Sequence, residues 1–559
     1  MPISFGRQPR QHLHSSYGRS CAGAHGIEQQ RRKRKRSAMT STSVASSGTV
    51  ETGRLSSWTK IAYAFFGLSF TMSTMVNTWQ MFYYTSFMAI GVGVVTTMLA
   101  FGKWAGAAIS PVWGWLSDRM YSTSIGRKLG RRRAMLLILA PLNLLFYVLL
   151  WLPNMPVWAY ILFNVGYFAI WPGVTTIDYA LPSEMTDNSK DRAQLVVGGQ
   201  IGGAVGSFGL SMLNVYLFNI WGNKTWDAYF KIAMLYAVVG TILLVLAAFA
   251  IKERPYDPST DVAAADKDAK GKTNALKQIV SVFWNFVSVI RIRTFRNYLY
   301  IFLTQIIFRN VRGTLNSYFI IFVLMLTAQD VSLSTGISFL FGIAFVTFWG
   351  WATSKVGGLK TYRAGGYITF VLFGLILVMG LLKQNFTPTQ LAIGFTVLIT
   401  AFGLGNSGIV NAQQYIQAFV PDVDEIVTGK RREGQYAGIT ETLSTVVQAL
   451  VVAGTGWVLV LFGFQSGSET QPASAVNALL YMYCLTPMVL TLLGNFLTYR
   501  MHLNDENHKV LVAEAKRLRE GGSMADVTPE TRKVVEDLAG MKYEECWGHN
   551  NIINISNRG

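Results

Sequence analysis

A short motif occurs twice in the chain, and it decides how the surrounding sequence is interpreted. The sequence Gly-Trp-Leu-Ser-Asp-Arg spans residues 114–119, and the related sequence Gly-Trp-Ala-Thr-Ser-Lys spans residues 350–355. A second pair has nearly the same offset, because Pro182 to Arg192 corresponds to Pro421 to Arg432. Each motif follows a long apolar run. The two pairs therefore predict two similar halves in the same orientation, an arrangement typical of membrane transporters with a binding site between the halves.

Twelve apolar runs surround these motifs, and each is close to the roughly 20 residues that a helix needs to cross a bilayer. The chain has 559 residues, of which 51% are hydrophobic and 14% are charged, whereas soluble proteins contain about 25% charged residues. Lipid offers the backbone no hydrogen-bond partners, so we interpret the runs as helices. The sequence thus predicts an all-α membrane protein with two six-helix bundles. We place the runs at about residues 60–87, 92–116, 134–152, 157–181, 195–220, 229–251, 297–326, 333–353, 364–382, 390–419, 436–463 and 474–499.

The polar segments between these runs define the predicted domain boundaries. After His502 the sequence is polar, and residues 505–520 are predicted to form a short charged helix that Gly521 and Gly522 end. The predicted parts are a disordered basic tail (1–57), a first bundle (58–251), a cytoplasmic linker (252–296), a second bundle (297–500) and a C-terminal tail (501–559).

The charged residues are concentrated outside the apolar runs. The formal net charge is +19, from 49 Lys and Arg against 30 Asp and Glu. The N-terminal tail and the loops after spans 2, 4, 8 and 10 carry much of this excess, and the loop from Arg119 to Arg133 alone contains six basic residues. Basic loops face the cytoplasm. We therefore predict a multi-pass protein of the plasma (bacterial inner) membrane with both termini inside and no nucleic-acid partner.

Glycines are frequent in span 5, where they lie at helical spacing. Small residues at this spacing let helices approach closely. The pattern indicates packing against a neighbouring helix, or alternatively a surface that slides during transport. The glycines are Gly198, Gly199, Gly202, Gly203, Gly206 and Gly209.

Three stretches of this sequence resemble signatures of one transporter family. The run from Pro421 to Gly434 resembles the signature loop of the glycoside–pentoside–hexuronide:cation symporters, the melibiose-carrier-like branch of the major facilitator superfamily. Residues 180–186 with Asp191 and Arg192 resemble its second signature, and residues 111–130 resemble its second span and the following loop. The resemblance covers about residues 58–500. It implies the major facilitator fold and sugar transport by alternating access.

The resemblance also shows where this chain departs from the family. The family's cation site uses two aspartates in the second span, and alignment on Pro111 places Gly106 and Ser110 at those positions. Lys103 stands where the family has an arginine. Hard cations such as Na⁺ prefer oxygen ligands that include carboxylates. If transport is coupled to a cation, these departures favour H⁺ over Na⁺.

Charged residues in the loops are candidates for gating. Asp118 lies at a helix end beside a basic cluster, and such charges can pair differently in inward-open and outward-open states. The alternative is that they only anchor the topology. The candidates are Asp118, Arg119, Glu184, Arg192, Asp424, Arg431, Arg432 and Glu433.

Three basic residues lie deep within the apolar runs. They are Lys103 in span 2 and Arg309 and Arg312 in span 7. Charges within the membrane are costly and indicate function, and the spacing of the two arginines places them on one helix face. One hypothesis is that the three bind an anionic group, such as a uronate carboxylate, which arginine recognises well. The other is that they form internal ion pairs with Asp178 or Glu441.

These two carboxylates are also candidates for cation coupling. Burial would raise their pKa and allow them to exchange protons. The alternative role is a salt bridge at the cytoplasmic end with Arg192 or Lys430.

Aromatic and amide side chains within the runs are candidates for sugar binding. Aromatic rings can stack on sugars, and amides hydrogen-bond their hydroxyl groups. In membrane helices such aromatic residues also serve as packing or interfacial residues. The candidates are Asn77, Trp79, Gln80, Trp171, Gln200, Gln305, Asn316, Trp349, Asn411, Gln413 and Gln414.

These observations predict a secondary transporter that imports a glycoside or small oligosaccharide, coupled to H⁺ or Na⁺. The alternatives are a carrier of hexuronides or other anionic sugars, an uncoupled facilitator and a carrier of amphipathic lipids. The sequence contains no phosphate-binding loop, nucleophile elbow or metal-binding cluster, so we predict neither an enzyme nor a cofactor. A sugar-sensing receptor would need a signalling domain, which the tails do not suggest. We expect a monomer in the lipid bilayer.

Overall fold

A computed structural model describes residues 56–70, 72–185, 189–250, 290–429 and 433–550. All regular elements in these ranges are helical, which confirms the predicted all-α class. The predicted tail 1–57 and linker 252–296 lie almost entirely outside the described residues.

The helices fall into two halves followed by a C-terminal segment. The first half contains α1 Ser57–Ser69, α2 Met72–Ser86, α3 Val92–Arg119, α4 Ser124–Leu129, α5 Arg131–Leu149, α6 Val157–Met185, α7 Ser189–Trp221 and α8 Trp226–Ala250. The second half contains α9 Arg293–Tyr318, α10 Ala328–Val356, α11 Gly358–Leu381, α12 Pro388–Thr428, α13 Glu433–Leu461 and α14 Ala473–Tyr499. The C-terminal segment contains α15 Asp505–Arg519 and α16 Pro529–Ala539.

Ten helices in the described ranges are long and apolar enough to cross a membrane. The two remaining predicted spans are helical but differ in character. Helix α9 has 26 residues and carries Arg293, Arg296, Arg309 and Arg312, so its mean hydropathy is low. The first span is divided into two pieces of 13 and 15 residues. All twelve predicted runs are therefore helical, and the membrane crossing of the first run and of α9 stays a prediction.

The division of the first span corrects the predicted continuous run at 60–87. Helix α1 ends after Ser69, and the backbone N–H of Phe70 bonds back to the carbonyl of Gly67. Helix α2 begins at Met72, and the N–H of Ser73 bonds to the carbonyl of Phe70. Hydrophobicity continues across the break, so periodicity alone does not reveal it.

Glycines of α7 allow α1 and α7 to pack backbone against backbone. A Cβ at Gly202 would lie 2.1 Å from the carbonyl oxygen of Ala64, and one at Gly67 would lie 2.1 Å from that of Gly199. A Cβ at Gly209 would meet nothing within 4 Å. The first two contacts support the packing interpretation of the glycine pattern within the first half.

Among the described residues, the main contacts between the two halves are those of α3 with α13, α7 with α10, and α2 with α9. The α3–α13 contact is close, because a Cβ at Gly456 would overlap the side chain of Thr96. Thr96 also donates to the carbonyl of Ala453 on α13 at 3.4 Å. We call the end of the bundle where α3, α10 and α12 finish and the basic loops begin the basic end.

Uncharged contacts close the cleft between the halves at the other end of the bundle. The hydroxyl groups of Thr85 and Tyr318 lie 2.6 Å apart, and the N–H of Gly467 donates to the carbonyl of Thr85 at 2.8 Å. The ring of Phe82 packs against those of Tyr318 and Phe322, with centroids 6.0 and 6.3 Å apart. We call this set of contacts the seal.

The C-terminal segment is more ordered than the predicted polar tail. Helix α15 matches the predicted charged helix, and Gly521 after it has a φ of +93°. Helix α16 was not predicted. Both helices pack on α12, and α16 also packs on α9.

Candidate functional site

A cavity of about 310 Å³ lies between the two halves. Helices α2, α3 and α6 line it from the first half, and α9 and α13 line it from the second. Tyr318 lines the cavity and also belongs to the seal, so the seal closes the cavity on that side. The uncharged polar side chains in its wall are those of Asn77, Thr78, Gln80, Asn310, Thr314 and Gln448.

All three deep cations line this cavity. Lys103 comes from α3 in the first half, whereas Arg309 and Arg312 come from α9 in the second. Lys103 and Arg309 lie within electrostatic range of each other, as do Arg309 and Arg312. The ion pairs found within 4.0 Å among the described residues lie elsewhere in the molecule. The cavity therefore combines positive charge from both halves with neutral hydrogen-bonding groups.

The two arginines have different surroundings. The guanidinium of Arg312 lies over the ring of Phe402, 5.0 Å from its centroid, and Tyr483 is a polar neighbour. The hydroxyl of Tyr483 in turn donates to Oδ1 of Asn316 at 2.8 Å. Arg309 is exposed to the cavity. Arg312 is thus fixed within the second half, and Arg309 is the arginine that a ligand can approach.

Gln80 is held in the cavity wall by hydrogen bonds within the first half. Its Nε2 donates to Oδ1 of Asn164 at 2.8 Å, and Asn164 donates to the carbonyl of Tyr160 at 2.8 Å. Gln80 and Asn164 are both buried. This network orients the amide, as a binding site for sugar hydroxyl groups requires.

The other predicted sugar-binding residues of the second half lie outside the cavity wall. The indole N–H of Trp349 donates to the carbonyl of Leu404 at 2.7 Å, and Gln413 donates to that of Ile301 at 3.2 Å. Asn411 bonds within its own helix to the carbonyl of Ser407 at 3.1 Å, and Gln305 is buried. In this conformation the bonds of Trp349 and Gln413 hold neighbouring helices together. Gln414 lies on α12, likewise outside the wall.

Three candidates of the first half also lie outside the wall. Trp171 stacks on Tyr167 with centroids 6.0 Å apart, and Gln200 is exposed on α7. Trp79 is buried among aromatic rings that include Phe218.

The two predicted coupling carboxylates lie in different places. Asp178 on α6 accepts a hydrogen bond from the hydroxyl of Tyr63 on α1 at 2.8 Å. Glu441 on α13 is exposed and lies within electrostatic range of Arg309. The proposed partner Lys430 and the side chain of Arg192 lie outside what the structure describes.

Comparison with known proteins agrees with this arrangement. The sequence model of the family described as MFS/sugar transport protein matches residues 61–505. The chain belongs to this family. It is 25% identical over 441 residues to the isoprimeverose transporter of Lactiplantibacillus pentosus, a match that covers 74% of this chain and 82% of that protein.

Solved transporters share the fold of this sugar transporter. A bacterial homologue of the human lysosomal transporter Spinster, in an inward-facing and unoccupied conformation, superposes with a TM-score of 0.55 at 15% identity, over 80% of this chain and 97% of that one. The inward-open xylose transporter XylE from E. coli gives a TM-score of 0.52 at 12% identity, over 80% and 96% of the chains. At these identities the similarity shows the fold alone, and it confirms the predicted major facilitator architecture.

The transporter has a packing reason for glycine at one of the two positions where the family resemblance expects an aspartate. A Cβ at Gly106 would lie 2.4 Å from the carbonyl oxygen of Phe168 on α6. Any larger side chain would therefore push α3 and α6 apart. Ser110 is partly buried on the same helix.

Two of the predicted gating residues have described side chains. Asp424 is completely buried near the end of α12, and Arg119 is partly buried at the end of α3. The side chains of the remaining candidates lie outside the described part of the transporter: Asp118, Glu184, Arg192, Arg431, Arg432 and Glu433.

Sequence reasoning missed several residues of the cavity wall. Asn310 and Gln448 are amides within apolar runs, so polarity within a span was a signal for both. No comparable sequence signal marks Thr78, Thr314 and Phe168, because threonine and phenylalanine are common in membrane helices.

Proposed function

We propose that this sugar transporter is a secondary carrier that imports a glycoside or small oligosaccharide by alternating access. The observation that carries the proposal is the cavity between the halves, whose wall combines oriented amides and hydroxyl groups with Phe168 and Tyr318. Its volume lies at the lower end of the range of small-molecule sites. The relative named as an isoprimeverose transporter supports a sugar of similar kind.

The proposed state of the carrier follows from the seal. With the seal closed, a sugar would reach the cavity from the basic end. If basic loops face the cytoplasm, this is the inward-facing state, and the halves must rock to open the seal during import. This orientation, with both termini inside the plasma membrane and a central cytoplasmic linker between two bundles, is part of the proposal, as is a monomeric state.

For coupling we propose H⁺, with Glu441 and Asp178 as candidate proton carriers. Glu441 is the better placed of the two, because its charge interacts with that of Arg309 in the cavity wall. Protonation of Glu441 would change the net charge near the site, so proton binding and sugar binding would influence each other. Asp178 is engaged with Tyr63 on the basic side of the first half.

The experiment is uptake into proteoliposomes that contain the purified full-length chain. Radiolabelled isoprimeverose is tested first, then a panel of neutral glycosides and glucuronides, with imposed H⁺ or Na⁺ gradients. Accumulation above equilibrium that requires the H⁺ gradient supports the proposal. Equilibration without accumulation indicates a facilitator, and accumulation driven only by Na⁺ refutes H⁺ coupling. Competition by lysolipids but by no sugar would refute sugar transport.

A second candidate, a carrier of acidic sugars, is favoured by the positive charge of the cavity. Arg309 can bind a carboxylate through two parallel hydrogen bonds, and Lys103 faces the same space from the other half. A uronate would relieve the repulsion between these two cations as it bridges the halves. In the same assay, preference for a glucuronide over the matching neutral glucoside would select this candidate.

A further inference from the structure

The C-terminal segment, residues 502–550, folds against the helix bundle, and its buried side chains belong to the same hydrophobic core. Leu511 and Leu518 of α15 and Val535 and Leu538 of α16 are buried. Beneath them Glu514 accepts two hydrogen bonds from Arg517, at 2.9 and 2.7 Å, and a third from the hydroxyl of Tyr543. The bonds from Arg517 hold the pKa of Glu514 below its usual value. We call this segment the C-terminal clamp; nearly all of it lies beyond residue 505, where the match to the family ends.

The clamp binds the end of α12 through the side chains of His508 and Arg519. Nε2 of His508 lies 2.8 Å from Oδ2 of Asp422, and its ring stacks on that of Phe419 with centroids 3.9 Å apart. Arg519 forms an ion pair with Glu425 one helical turn further along. Glu425 is buried, so this pair is shielded from solvent on the α12 side.

The backbone of the clamp also completes the last turn of α12. The N–H groups of Trp547 and Gly548 donate to the carbonyls of Ile426 and Val427, at 2.7 and 3.0 Å. Nδ2 of Asn550 donates to the same carbonyl of Val427 at 2.7 Å. The last carbonyls of a helix have no partner within the helix, so the clamp supplies bonds that α12 cannot make itself. Trp547 has a φ of +54°, a left-handed conformation that such residues rarely adopt without support from their surroundings.

The other side of the clamp binds the first turn of α9. Nη1 of Arg293 lies 2.9 Å from Oδ1 of Asp537, and the hydroxyl of Thr294 donates to the carbonyl of Leu538 at 2.6 Å. Asp537 also binds His502, which follows α14. One small unit thus holds the start of α9 and the end of α12.

We propose that the C-terminal clamp joins α9 and α12 into one mechanical unit, so that the helix carrying Arg309 and Arg312 moves only together with α12. Arg309 lies 16 residues after Arg293 on one continuous helix, about 24 Å further at 1.5 Å per residue. A helix transmits a displacement of its first turn along its axis. The clamp therefore positions the cavity-lining arginines from the basic end, without touching the cavity. This inference does not depend on which sugar is carried.

The thiol of Cys546 provides a direct readout of clamp docking. It is fully buried beside the docking residues Trp547 and Gly548, and burial, with nearby glutamates, raises its pKa to about 12. At pH 8 a docked clamp therefore leaves Cys546 protonated and inaccessible. Alkylation of the peptide that contains Cys546, quantified by mass spectrometry, reports how often the clamp opens.

The test compares the full-length protein in detergent or nanodiscs with the double variant His508→Gln/Arg519→Gln. Lys516→Gln is the control, because Lys516 is exposed on α15 and forms its ion pair with Glu520, away from α12. We expect the double variant to raise the rate of Cys546 alkylation by N-ethylmaleimide at least about tenfold, since each charge-assisted bond contributes more than a neutral one. Hydrogen exchange of the amides at the start of α9 should rise with it, and the control should match the wild type.

Two outcomes would overturn the proposal. If Cys546 becomes reactive while exchange at the start of α9 stays unchanged, the clamp opens without releasing α9 and does not join the two helices. If alkylation stays slow, His508 and Arg519 do not hold the clamp. Should the double variant fail to fold, Asp537→Asn weakens the contact with α9, because it removes the ion pair with Arg293 together with the pairing to His502, while the contacts with α12 stay in place. This variant should raise hydrogen exchange of the amides at the start of α9 and leave those in the last turn of α12 protected. Equal protection of the amides in the two segments would refute the mechanical role.

Discussion

Arg309→Gln offers the sharpest test of how the cavity recognises its substrate. Arg309 is exposed to the cavity, whereas Arg312 is fixed against Phe402. Glutamine keeps a polar side chain but is shorter than arginine and removes the charge. If Arg309 binds a carboxylate, the substitution should weaken transport of acidic sugars and leave neutral ones nearly unchanged.

The expected size follows from the kind of bond that is lost. Hydrogen bonds that involve a charged group contribute about 1.5–3 kcal/mol, and 1.4 kcal/mol corresponds to a tenfold change in affinity. Loss of the Arg309 contact should therefore reduce the apparent affinity for a glucuronide by about 10- to 100-fold. A neutral glucoside gains nothing from the charge, so its apparent affinity should change by less than about threefold.

The assay is competition of unlabelled glucuronide and matched glucoside against labelled substrate in proteoliposomes. Arg296→Gln is the control, because Arg296 lies on the same helix but is exposed at its start. It should behave as the wild type. Equal losses for the two sugars in Arg309→Gln would refute a carboxylate site and assign Arg309 to the structure of the cavity.

Three further predictions concern packing, the seal and coupling. Gly202→Leu should destabilise the purified protein by about 1–3 kcal/mol, because the larger side chain overpacks against α1. The control Gly209→Ala has open space around it and should leave the melting temperature unchanged. Equal melting temperatures for the two variants would contradict the close α1–α7 contact. Thr85→Val removes the hydroxyl partner of Tyr318 and should raise the ratio of open-seal to closed-seal molecules about tenfold. Distances between spin labels on the two sides of the seal measure this ratio. An unchanged distance distribution would assign the closure to the aromatic contacts. Glu441→Gln should abolish accumulation driven by an H⁺ gradient while sugar exchange continues, with the loop variant Glu469→Gln as control; accumulation that persists in Glu441→Gln would exclude Glu441 as the proton carrier.

The sequence contained enough information to predict the fold because its signals are repeated. Twelve apolar runs and two pairs of loop motifs all indicate the same architecture. Even α9 was predicted as a helix despite its four arginines, since the apolar residues around Arg309 and Arg312 extend far enough. The break at Phe70 was missed because the hydrophobic pattern continues through it.

The site was only partly predictable, for a physical reason. A charge within a span is costly, so Lys103, Arg309 and Arg312 stood out and proved to line one cavity. A neutral polar side chain within a span is less costly and can bond to a neighbouring helix instead of a ligand. Trp349 and Gln413 do so, and sequence alone cannot distinguish them from Gln80, because the difference lies in which way the helix faces.

The composition of the seal has a consequence for how the carrier responds to its environment. Its contacts are hydroxyl pairs, backbone hydrogen bonds and aromatic rings, as at Thr85, Tyr318 and Phe322. Dissolved ions screen interactions between charges, so they leave contacts of this kind nearly unaffected. Burial of apolar surface, in contrast, changes its strength with temperature. We therefore expect the opening of the seal to be nearly independent of ionic strength but to change with temperature, because the apolar contacts that hold it closed weaken as the protein is cooled.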